Sequence, residues 1–578
     1  MTIDTSATTG IRRFIPMLGW IRSYDRRWLR GDLIAGIAVA ALIVPKNLGY
    51  AGIAGIPLQN GLYAAAAGAI LYAIFGTSRQ ISTGPSSSLA AVAASAVLAA
   101  GVSGQQDAAT LVAMITLVSG ILFLVLAALR MGWIARFLSR AVVTGFLFGA
   151  ALDVVIGELP KLTGTEVSGS NPLQELWSWL GSLGQTNGPT VVVGVVALIV
   201  VFGLRAVSRN IPGALVLLVG GLAASRLFDL GAHGVALVGA IPSGLPRLEL
   251  PGVGMWADHF GVIVAAAAAL LLIGFSQTTG DARAFAARHR YRIDVDQESV
   301  AQGMANIGAG VFQGMPVSTS LSASSLNDRS GARSGIASLT SGVIVLLTLV
   351  FLAPLFSDLP VPVLAALIIE AVTMGMMDVP EMRRLARVQR FDFWIAVAAI
   401  VGTLLLGVLA GVLIGIALSL IWLVSVATRP RIPLLAREPG THVFRELDAY
   451  EGLEPILGTA ILRLDGGLFF ATSDALEDRV RDVALETESV TTIVLDFGGI
   501  DFIDSQGAAK IDEIAELARS ADITLRLARV KPQVRAILAR DGFLERIGED
   551  RIHGNVDEAV AAEAAEPAGD AGSSSGGQ

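Results

Sequence analysis

The protein has 578 residues, of which 53% are hydrophobic and 16% are charged, and its mean hydropathy is +0.65. A soluble globular protein carries roughly a quarter charged residues, so this composition excludes an ordinary soluble enzyme. The net charge of −7 at pH 7 offers no basic surface to a nucleic acid. The chain has no cysteine, which excludes disulfide bonds and thiolate metal sites.

The chain divides into a basic start, a long apolar region and a soluble tail. Residues 1–30 are polar and basic and show no short apolar core with a cleavage site, so we expect the first apolar run to stay in the bilayer. Residues 31–428 are successive apolar runs, enough for about 14 membrane spans. Residues 429–439 read as a linker, 440–560 as a soluble domain and 561–578 as a disordered, low-complexity tail.

The predicted spans separate the positive charges onto one side of the membrane. In chain order the spans are residues 33–50, 62–76, 85–100, 110–129, 140–158, 189–204, 211–228, 260–280, 298–313, 317–327, 335–356, 362–378, 391–408 and 409–427. Sixteen arginines fall in the loops of one side, against Lys161, Arg226 and Arg247 on the other. Cytoplasmic loops hold the excess of Lys and Arg, so both chain ends are predicted to be cytoplasmic.

Two segments interrupt the pattern of plain apolar helices. They are ISTGPSSSLAAVAAS, which begins at Ile81, and GMPVSTSLSASSLN, which begins at Gly314. Pro85 and Pro316 lie at nearly the same distance from the starts of the first and eighth spans. This predicts a seven-span unit used twice, and a repeated unit with an odd number of spans must be inverted. Paired interrupted segments are the best sequence indication of a transporter's binding site.

A Gly-Pro pair has a specific consequence at membrane depth. It forces the chain out of the helix and lets a new helix begin with Pro in its first turn. The new N-terminus has free N–H groups and a positive dipole end, which together bind anions. The alternative is that these serines, glycines and alanines only let helices pack closely.

Four stretches of this sequence resemble the SulP anion transporters, also called solute carrier family 26. They are GDLIAGIAVAALIVPKNLGYAGIAGIPLQNGLYA from Gly31, GTSRQISTGPSSS from Gly76, VGAIPSGLP from Val238 and QESVAQGMANIGAGVFQGMPVSTS from Gln297. The last part of the chain resembles the STAS domain of that family. The resemblance implies two inverted seven-helix repeats, as in the uracil permeases, with a core domain moving against a gate domain. It also implies a homodimer in a bacterial inner membrane that transports sulfate, bicarbonate, chloride or dicarboxylates.

The resemblance also implies where the anion binds. The corresponding positions are Ser86 and Ser87 on one half-helix, Leu321, Ser322 and Ala323 on the other, and Lys46 and Tyr50 on the first span. Family members commonly have Gln in place of Lys46, and many have Arg in place of Ala323. We therefore hypothesise that Lys46 replaces the missing arginine as the fixed positive charge of the site. The alternative is that Lys46 snorkels to an interface or loses its proton.

A coupling group is expected in the eighth span. Many family members have Glu or Asp where this chain has Gln277, and Asp281 lies one turn later on the same face. Asp281 is the candidate for coupling to a proton or sodium ion. The alternative is a surface carboxylate paired with Arg283 or Arg288. If neither Gln277 nor Asp281 couples, the protein is a facilitator or an exchanger.

Three further acidic residues lie in apolar runs, namely Asp153, Glu158 and Glu370. The family layout places their spans in the gate domain. We interpret them as helix-interface or dimer contacts in preference to substrate ligands. No cofactor motif or nucleotide-binding loop is visible, so transport is expected to be passive or driven by a gradient.

The tail alternates strands and amphipathic helices, which is typical of a small α/β domain. Strands are predicted within residues 458–473 and 491–499, and helices at 474–486, 505–520 and 531–543. The resemblance implies a phosphorylatable serine, Ser505, in a D-S-x-G turn, and a cytoplasmic protein partner. The preferred alternative is that Asp504 or Ser505 simply caps a helix.

The sequence thus favours a secondary anion transporter that works by alternating access, and no enzyme activity. One alternative is a membrane-tethered STAS regulator that has lost transport. A nucleobase permease of the same fold is a weaker alternative, because Gln277 and Ala323 supply no carboxylate to face the half-helices.

Overall fold

The computed structural model describes residues 14–130, 139–169, 171–207, 213–242, 244, 248, 253–486 and 489–565. The predicted basic N-terminal segment before Phe14 and the predicted tail after Ala565 lie outside these residues. The chain forms two compact units, Met1–Ser419 and Leu420–Gln578.

The described residues of the first unit form helices and two very short strands, and the last of these helices continues past Ser419 into the second unit. The helices of the first unit are α1 (Leu29–Ile53), α2 (Leu58–Phe75), α3 (Ser87–Ala99), α4 (Gln105–Ala128), α5 (Arg140–Thr163), α6 (Pro172–Ser182), α7 (Gly188–Val207) and α8 (Gly213–Leu227). They continue with α9 (Val253–His289), α10 (Val295–Val311), α11 (Leu321–Arg329), α12 (Ile336–Leu347), α13 (Val361–Met376), α14 (Val379–Val388), α15 (Arg390–Leu406) and α16 (Val408–Ala427). Strand β1 (Thr83–Gly84) precedes α3, and β2 (Ser318–Thr319) precedes α11.

Each of the fourteen predicted spans overlaps one of these helices, although span 317–327 begins with β2 and span 335–356 continues beyond α12 into a π-helix (Thr348–Leu352) and a 3-10 helix (Ala353–Asp358). In the described part of the chain, nine helices are long and apolar enough to cross a membrane. The shorter apolar helices α3 and α8 do not reach that length. The number fourteen therefore stays a prediction. Helices α6 and α14 lie in predicted loops, because their amphipathic sequences are too short and too polar to read as spans.

The helices pack in two groups that follow the predicted repeats. Helices α1–α4 pack with α9–α12, whereas α5, α7 and α8 pack with α13 and α15. Small residues allow the close approach within each group. For example, a Cβ added to Gly120 of α4 would lie 2.8 Å from the backbone nitrogen of Ile307 on α10. The first four and last three spans of each repeat thus segregate, as in the expected core and gate arrangement.

The second unit is a six-stranded sheet with helices. The strands are β3 (Leu434–Arg437), β4 (Phe444–Glu446), β5 (Thr459–Arg463), β6 (Thr492–Asp496), β7 (Thr524–Ala528) and β8 (Ile552–His553), in the spatial order β4-β3-β5-β6-β7-β8. The helices are α17 (Ser473–Glu486), α18 (Ser505–Ser520), α19 (Pro532–Asp541), α20 (Phe543–Ile547) and α21 (Val556–Ala565). Strands β5 to β8 are parallel and β3 pairs antiparallel with both β4 and β5.

Two predicted boundaries of this domain were wrong. Strand β3 lies inside the predicted linker 429–439, because Leu434 and Leu435 pair with β5 and so belong to the sheet. The predicted disordered tail begins inside α21, which continues through Ala565 because its alanines favour helix. The strands and helices predicted from periodicity are otherwise present, with the strand in 458–473 limited to β5.

A buried carboxylate ties the parallel strands together. Asp496, at the end of β6, accepts hydrogen bonds from Arg529 Nε at 2.7 Å and from Arg463 Nε at 2.8 Å. Burial raises the pKa of Asp496, but the hydrogen bonds from Arg529 and Arg463 outweigh it, so the pKa lies below its usual value. The ionised carboxylate of β6 thus binds arginines at the ends of the two strands beside it, β5 and β7.

Candidate functional site

The two interrupted segments meet in the folded chain. Thr83 pairs with Thr319 and Gly84 with Ser318 in a two-residue antiparallel ladder. Helix α3 begins three residues after β1, and α11 begins two residues after β2. Because the strands are antiparallel, the helices that follow leave in opposite directions. The prediction of two broken helices with neighbouring N-termini is confirmed, and neither segment is a continuous helix.

Serines, rather than prolines, begin both helices. Ser86 caps α3 by accepting from the Leu89 amide, and Ser320 caps α11 by accepting from the Ala323 amide, both at 3.4 Å. The expectation that Pro stands in each first turn was wrong. Pro85 directly precedes the cap Ser86, and Pro316 precedes β2. Each proline lies in the non-helical stretch before the new helix. There it disfavours helical backbone at the residue before it.

The two helix starts resemble each other in detail. In each, the cap serine also contacts the serine two residues later, Ser86 with Ser88 at 3.1 Å and Ser320 with Ser322 at 3.2 Å. The remaining amides of a first turn have no acceptor inside the helix. They stand at the positive end of the helix dipole, which attracts an anion.

A narrow cleft lies beside these helix starts. It is lined by Leu42, Ile43, Lys46, Asn47 and Tyr50 of α1, by residues 82–85, and by Ser320, Ser322 and Ala323. Its volume is about 10 Å³, room for about one water molecule. The cleft must therefore widen before it can hold a polyatomic anion.

Helix α1 contributes a cation and two polar groups to this cleft. Lys46 and Tyr50 are one turn apart and so share a face. Tyr50 is 9% exposed and hydrogen-bonded with Ser87 on α3. Among the described residues no carboxylate forms an ion pair with Lys46. The structure thus places Lys46 beside the helix starts, and its role as the fixed positive charge stays a prediction.

Sequence reasoning missed Asn47. This residue lines the cleft, is 2% exposed, and within the described residues its amide nitrogen has no hydrogen-bond partner. A buried unsatisfied donor costs about 1–3 kcal/mol, so its retention suits a ligand that accepts hydrogen bonds. The signal in the sequence was a second polar residue beside Lys46 in an apolar span.

Gln277 does not line the cleft but bridges the two broken segments. Its Nε2 donates to Ser88 Oγ at 3.0 Å, and its Oε1 accepts from Ser318 Oγ at 2.7 Å. One turn later, Asp281 Oδ2 accepts from Thr319 Oγ1 at 2.9 Å. Both side chains of α9 therefore face the ladder.

One alternative partner of Asp281, Arg288, is paired with another carboxylate. Arg288 pairs with Asp328 on α11 at 2.9 Å, and His289 contacts the other oxygen of the same carboxylate at 2.7 Å. Asp281 is half-buried and directed at Thr319 rather than at Arg288.

Two predicted site residues offer no polar side chain to the cleft. The Leu321 side chain is 57% exposed and lies outside the cleft lining. Ala323 lines the cleft with a methyl group, and the cap Ser320 accepts its amide hydrogen. Leu321 and Ser322 offer the open amides of that first turn.

Helix α10 holds both strands in place, a role that sequence reasoning did not assign. Gln302 Nε2 donates to Thr83 Oγ1 at 3.2 Å, and Asn306 exchanges two hydrogen bonds with the backbone of Val317, at 2.9 and 3.0 Å. Glu298, 1% exposed, accepts from the amides of Thr77 at 2.8 Å and Ser78 at 3.1 Å, just before β1. The signal was a line of polar residues on one face of an otherwise apolar span.

The other acidic residues lie in the second helix group. Glu370 on α13 pairs with Arg205 on α7 at 2.6 Å, which is a helix-interface contact. Glu158 pairs with Lys161 of its own helix at 2.7 Å. Asp153 is half-buried on α5, near the charge of Glu175. A dimer contact for these residues stays a prediction.

In the soluble domain, Asp504 caps α18. It accepts from the Gly507 amide at 2.7 Å and from the Phe470 amide at 3.1 Å. Ser505 is the exposed first residue of that helix and takes no part in the cap. Its phosphorylation stays a prediction.

Comparisons with known proteins agree with this architecture. The model of the sulfate permease family matches residues 29–399, and that of the STAS domain matches residues 452–559. The chain belongs to the sulfate permease family. A probable sulfate transporter of Mycobacterium tuberculosis is 33% identical over 97% of this chain and 99% of its own. The chloroplastic sulfate transporter 4.1 of Arabidopsis thaliana is 30% identical over 95% of this chain and 82% of its own.

Solved structures show the same fold. The murine Slc26a9 anion transporter in its inward-facing state has a TM-score of 0.87 at 21% identity, covering 98% of this chain and 96% of that one. The transmembrane domain of the cyanobacterial bicarbonate transporter BicA has a TM-score of 0.60 at 21% identity, over 67% of this chain and 98% of that one. This member of the family is therefore a multi-pass membrane protein that transports anions, with an α/β STAS domain after its membrane helices.

Proposed function

We propose that this protein transports sulfate or a similar small anion, bound between the N-termini of α3 and α11. The observation that carries the proposal is the ladder of β1 and β2, which brings two helix N-termini to one cleft beside Lys46. The relatives named as sulfate transporters support sulfate as the first anion to test.

The cleft offers donors that suit a tetrahedral oxyanion. They are the Lys46 ammonium, the amide of Asn47, and the hydroxyl and open amide of Ser322, all of which belong to residues that line the cleft. The predicted residues Ser86 and Ser87 lie just beyond the lining residues 82–85, so the amides of that helix start would join the site as the cleft widens. Bicarbonate and dicarboxylates satisfy the same donors, so the site favours a chemical class rather than one anion.

Alternating access is the proposed mechanism. The cleft is nearly closed, and α1 packs against both α12 of its own helix group and α13 of the other. A movement of one group against the other would widen the cleft towards one side of the membrane at a time.

Asp281 is the proposed coupling group. It contacts Thr319 of β2, so a proton or sodium ion at this carboxylate would neutralise a negative charge next to the bound anion. This would link cation entry to anion entry. Without such coupling the protein would act as an exchanger or facilitator.

Purified protein in proteoliposomes tests the proposal. We expect uptake of radiolabelled sulfate, inhibited by bicarbonate or fumarate if these share the site, and faster uptake with an inward proton or sodium gradient. Uracil serves as the control solute. No anion flux at all would identify a transport-inactive STAS regulator, and uracil uptake would identify a nucleobase permease.

The proposed setting is a bacterial inner membrane, with a homodimer whose chain ends are cytoplasmic. Because the sequence has no cysteine, single introduced cysteines report sidedness cleanly. Ser103→Cys should react with an impermeant reagent from outside the cell, and Arg429→Cys only after permeabilisation. The opposite labelling would overturn the orientation. Crosslinking of the intact membrane protein tests the dimer.

A further inference from the structure

Glu370 is a buried carboxylate within the membrane unit. Its side chain is 8% exposed, and it sits in the middle of α13. Charged groups in such a place need a partner. Arg205, at the end of α7, supplies one with a 2.6 Å contact, although its own side chain is 42% exposed.

The helix that carries Glu370 also packs against two helices next to the cleft. A Cβ added to Gly49 on α1 would lie 3.1 Å from Ile368 of α13, and a Cβ added to Gly375 of α13 would lie 3.3 Å from Ser87 Oγ. Glu370 lies two residues after Ile368, on the part of α13 that faces Arg205 of α7. Helix α13 therefore contacts both the helix of Lys46 and one of the proposed anion-binding helix starts.

The charges of this pair act on the site. Lys46 is within electrostatic range of both Glu370 and Arg205, and Tyr50 is within range of Glu370. With Lys46 as the ammonium of the proposed site, the three side chains carry a net charge of plus one. Glu370 pairs with Arg205 and leaves the Lys46 ammonium free for another anion.

We propose that Glu370 is a built-in competitor of the transported anion, and that Arg205 sets the anion's affinity by holding this carboxylate away from Lys46. The proposal rests on the function proposed above. When an anion enters, Lys46 faces two negative groups that repel each other. The strength of the Arg205–Glu370 contact then decides how tightly the anion is held and how readily it leaves.

Neutralising Glu370 and neutralising Arg205 should therefore change the KM for sulfate in opposite directions. The KM is measured from radiolabelled sulfate uptake by the full chain in proteoliposomes. Glu370→Gln removes the competitor and leaves two cations, so KM should fall by about tenfold, the order of magnitude expected for removing one nearby unit charge. Arg205→Gln frees the carboxylate to pair with Lys46, so KM should rise by a similar factor. The double variant restores the net charge and should return KM close to the wild-type value.

A purely structural ion pair would behave differently. If the pair is purely structural, both single variants should yield less folded protein, and KM should stay unchanged or shift in the same direction in both. An unchanged KM or a shift in the same direction overturns the proposal. If Glu370→Gln does not fold, Arg205→Gln and the double variant still decide, because KM must rise in the first and recover in the second. A rise without recovery contradicts the proposal.

The chain contains a matched control pair. Glu158 and Lys161 are also a nearly buried carboxylate and a half-exposed cation, with side-chain exposures of 5% and 44% and a 2.7 Å contact. They lie outside the cleft lining, so Glu158→Gln and Lys161→Gln should leave KM within twofold of wild type. Wild-type protein without sulfate flux would refute the proposed function itself, whereas normal flux with an unchanged KM in Glu370→Gln would refute only this inference.

Discussion

The two broken segments have the same backbone design but different surroundings. In each, a two-residue strand leads to a serine cap and a short helix. Both segments lie beside Lys46, and the first is held by a carboxylate, Glu298. The second is held by the neutral amide of Asn306 and also contacts Asp281. The inverted repeat thus duplicates the anion-binding backbone, whereas the side chains that hold each segment differ between its halves.

The largest expected effect comes from the support of the first segment. Glu298→Ala leaves the buried amides of Thr77 and Ser78 without their acceptor, which should lower the free energy of unfolding by at least about 2 kcal/mol. Thermal unfolding and sulfate uptake of the full chain measure this, and we expect uptake to be lost. Glu298→Gln keeps an acceptor oxygen, so it should retain part of the stability and part of the sulfate uptake. Wild-type transport by Glu298→Ala would show that β1 needs no such support.

The next largest effect tests the positive charge of Lys46 without changing the backbone of the two helix starts. Lys46→Gln removes the positive charge and keeps the helix starts, so the KM for sulfate should rise at least about tenfold, since a unit charge near a bound anion contributes more than 1.4 kcal/mol. Lys46→Arg keeps the charge and serves as the control. Unchanged uptake kinetics in Lys46→Gln would remove this residue from the site.

A smaller effect is expected from the carboxylate beside the second segment. Asp281→Asn keeps the contact with Thr319 available but cannot release or bind a proton. Sulfate uptake should then lose its acceleration by an inward proton or sodium gradient, a change of several-fold, while exchange of sulfate across the membrane continues. Adding Gln277→Glu, one turn away, should restore part of the acceleration. Full gradient dependence in Asp281→Asn would place coupling elsewhere.

The smallest effect tests whether the two helix starts are equivalent. Ser86→Ala and Ser320→Ala each remove one cap hydrogen bond, which should cost about 1 kcal/mol of stability. Their effects on thermal unfolding should agree within error. Ser341→Ala, which removes a hydroxyl bonded only within α12, is the control. A clear difference between the two cap variants would show that the two helix starts contribute unequally to stability.

Much of the fold could be predicted because the bilayer restricts what a chain can do. Apolar runs of span length, the loop arginines and the two Gly-Pro breaks are local features, and each predicted span overlaps a helix. The broken segments were also predictable, since a proline removes a backbone donor wherever it occurs. The caps were misplaced because the choice between Pro and Ser at a helix start depends on backbone angles that the sequence does not state.

The sequence by itself determined the class of this protein, its repeated design and the polar residues available at membrane depth, because hydrophobicity and helix breaking act over a few neighbouring residues. Only the tertiary structure decided which of those residues meet. Asn47 became a free donor, Gln277 a bridge and Glu370 a partner of Arg205 through contacts between helices far apart in the chain. Helix packing fixes such pairs, since side chains one turn apart share a face but the sequence does not name the helix opposite.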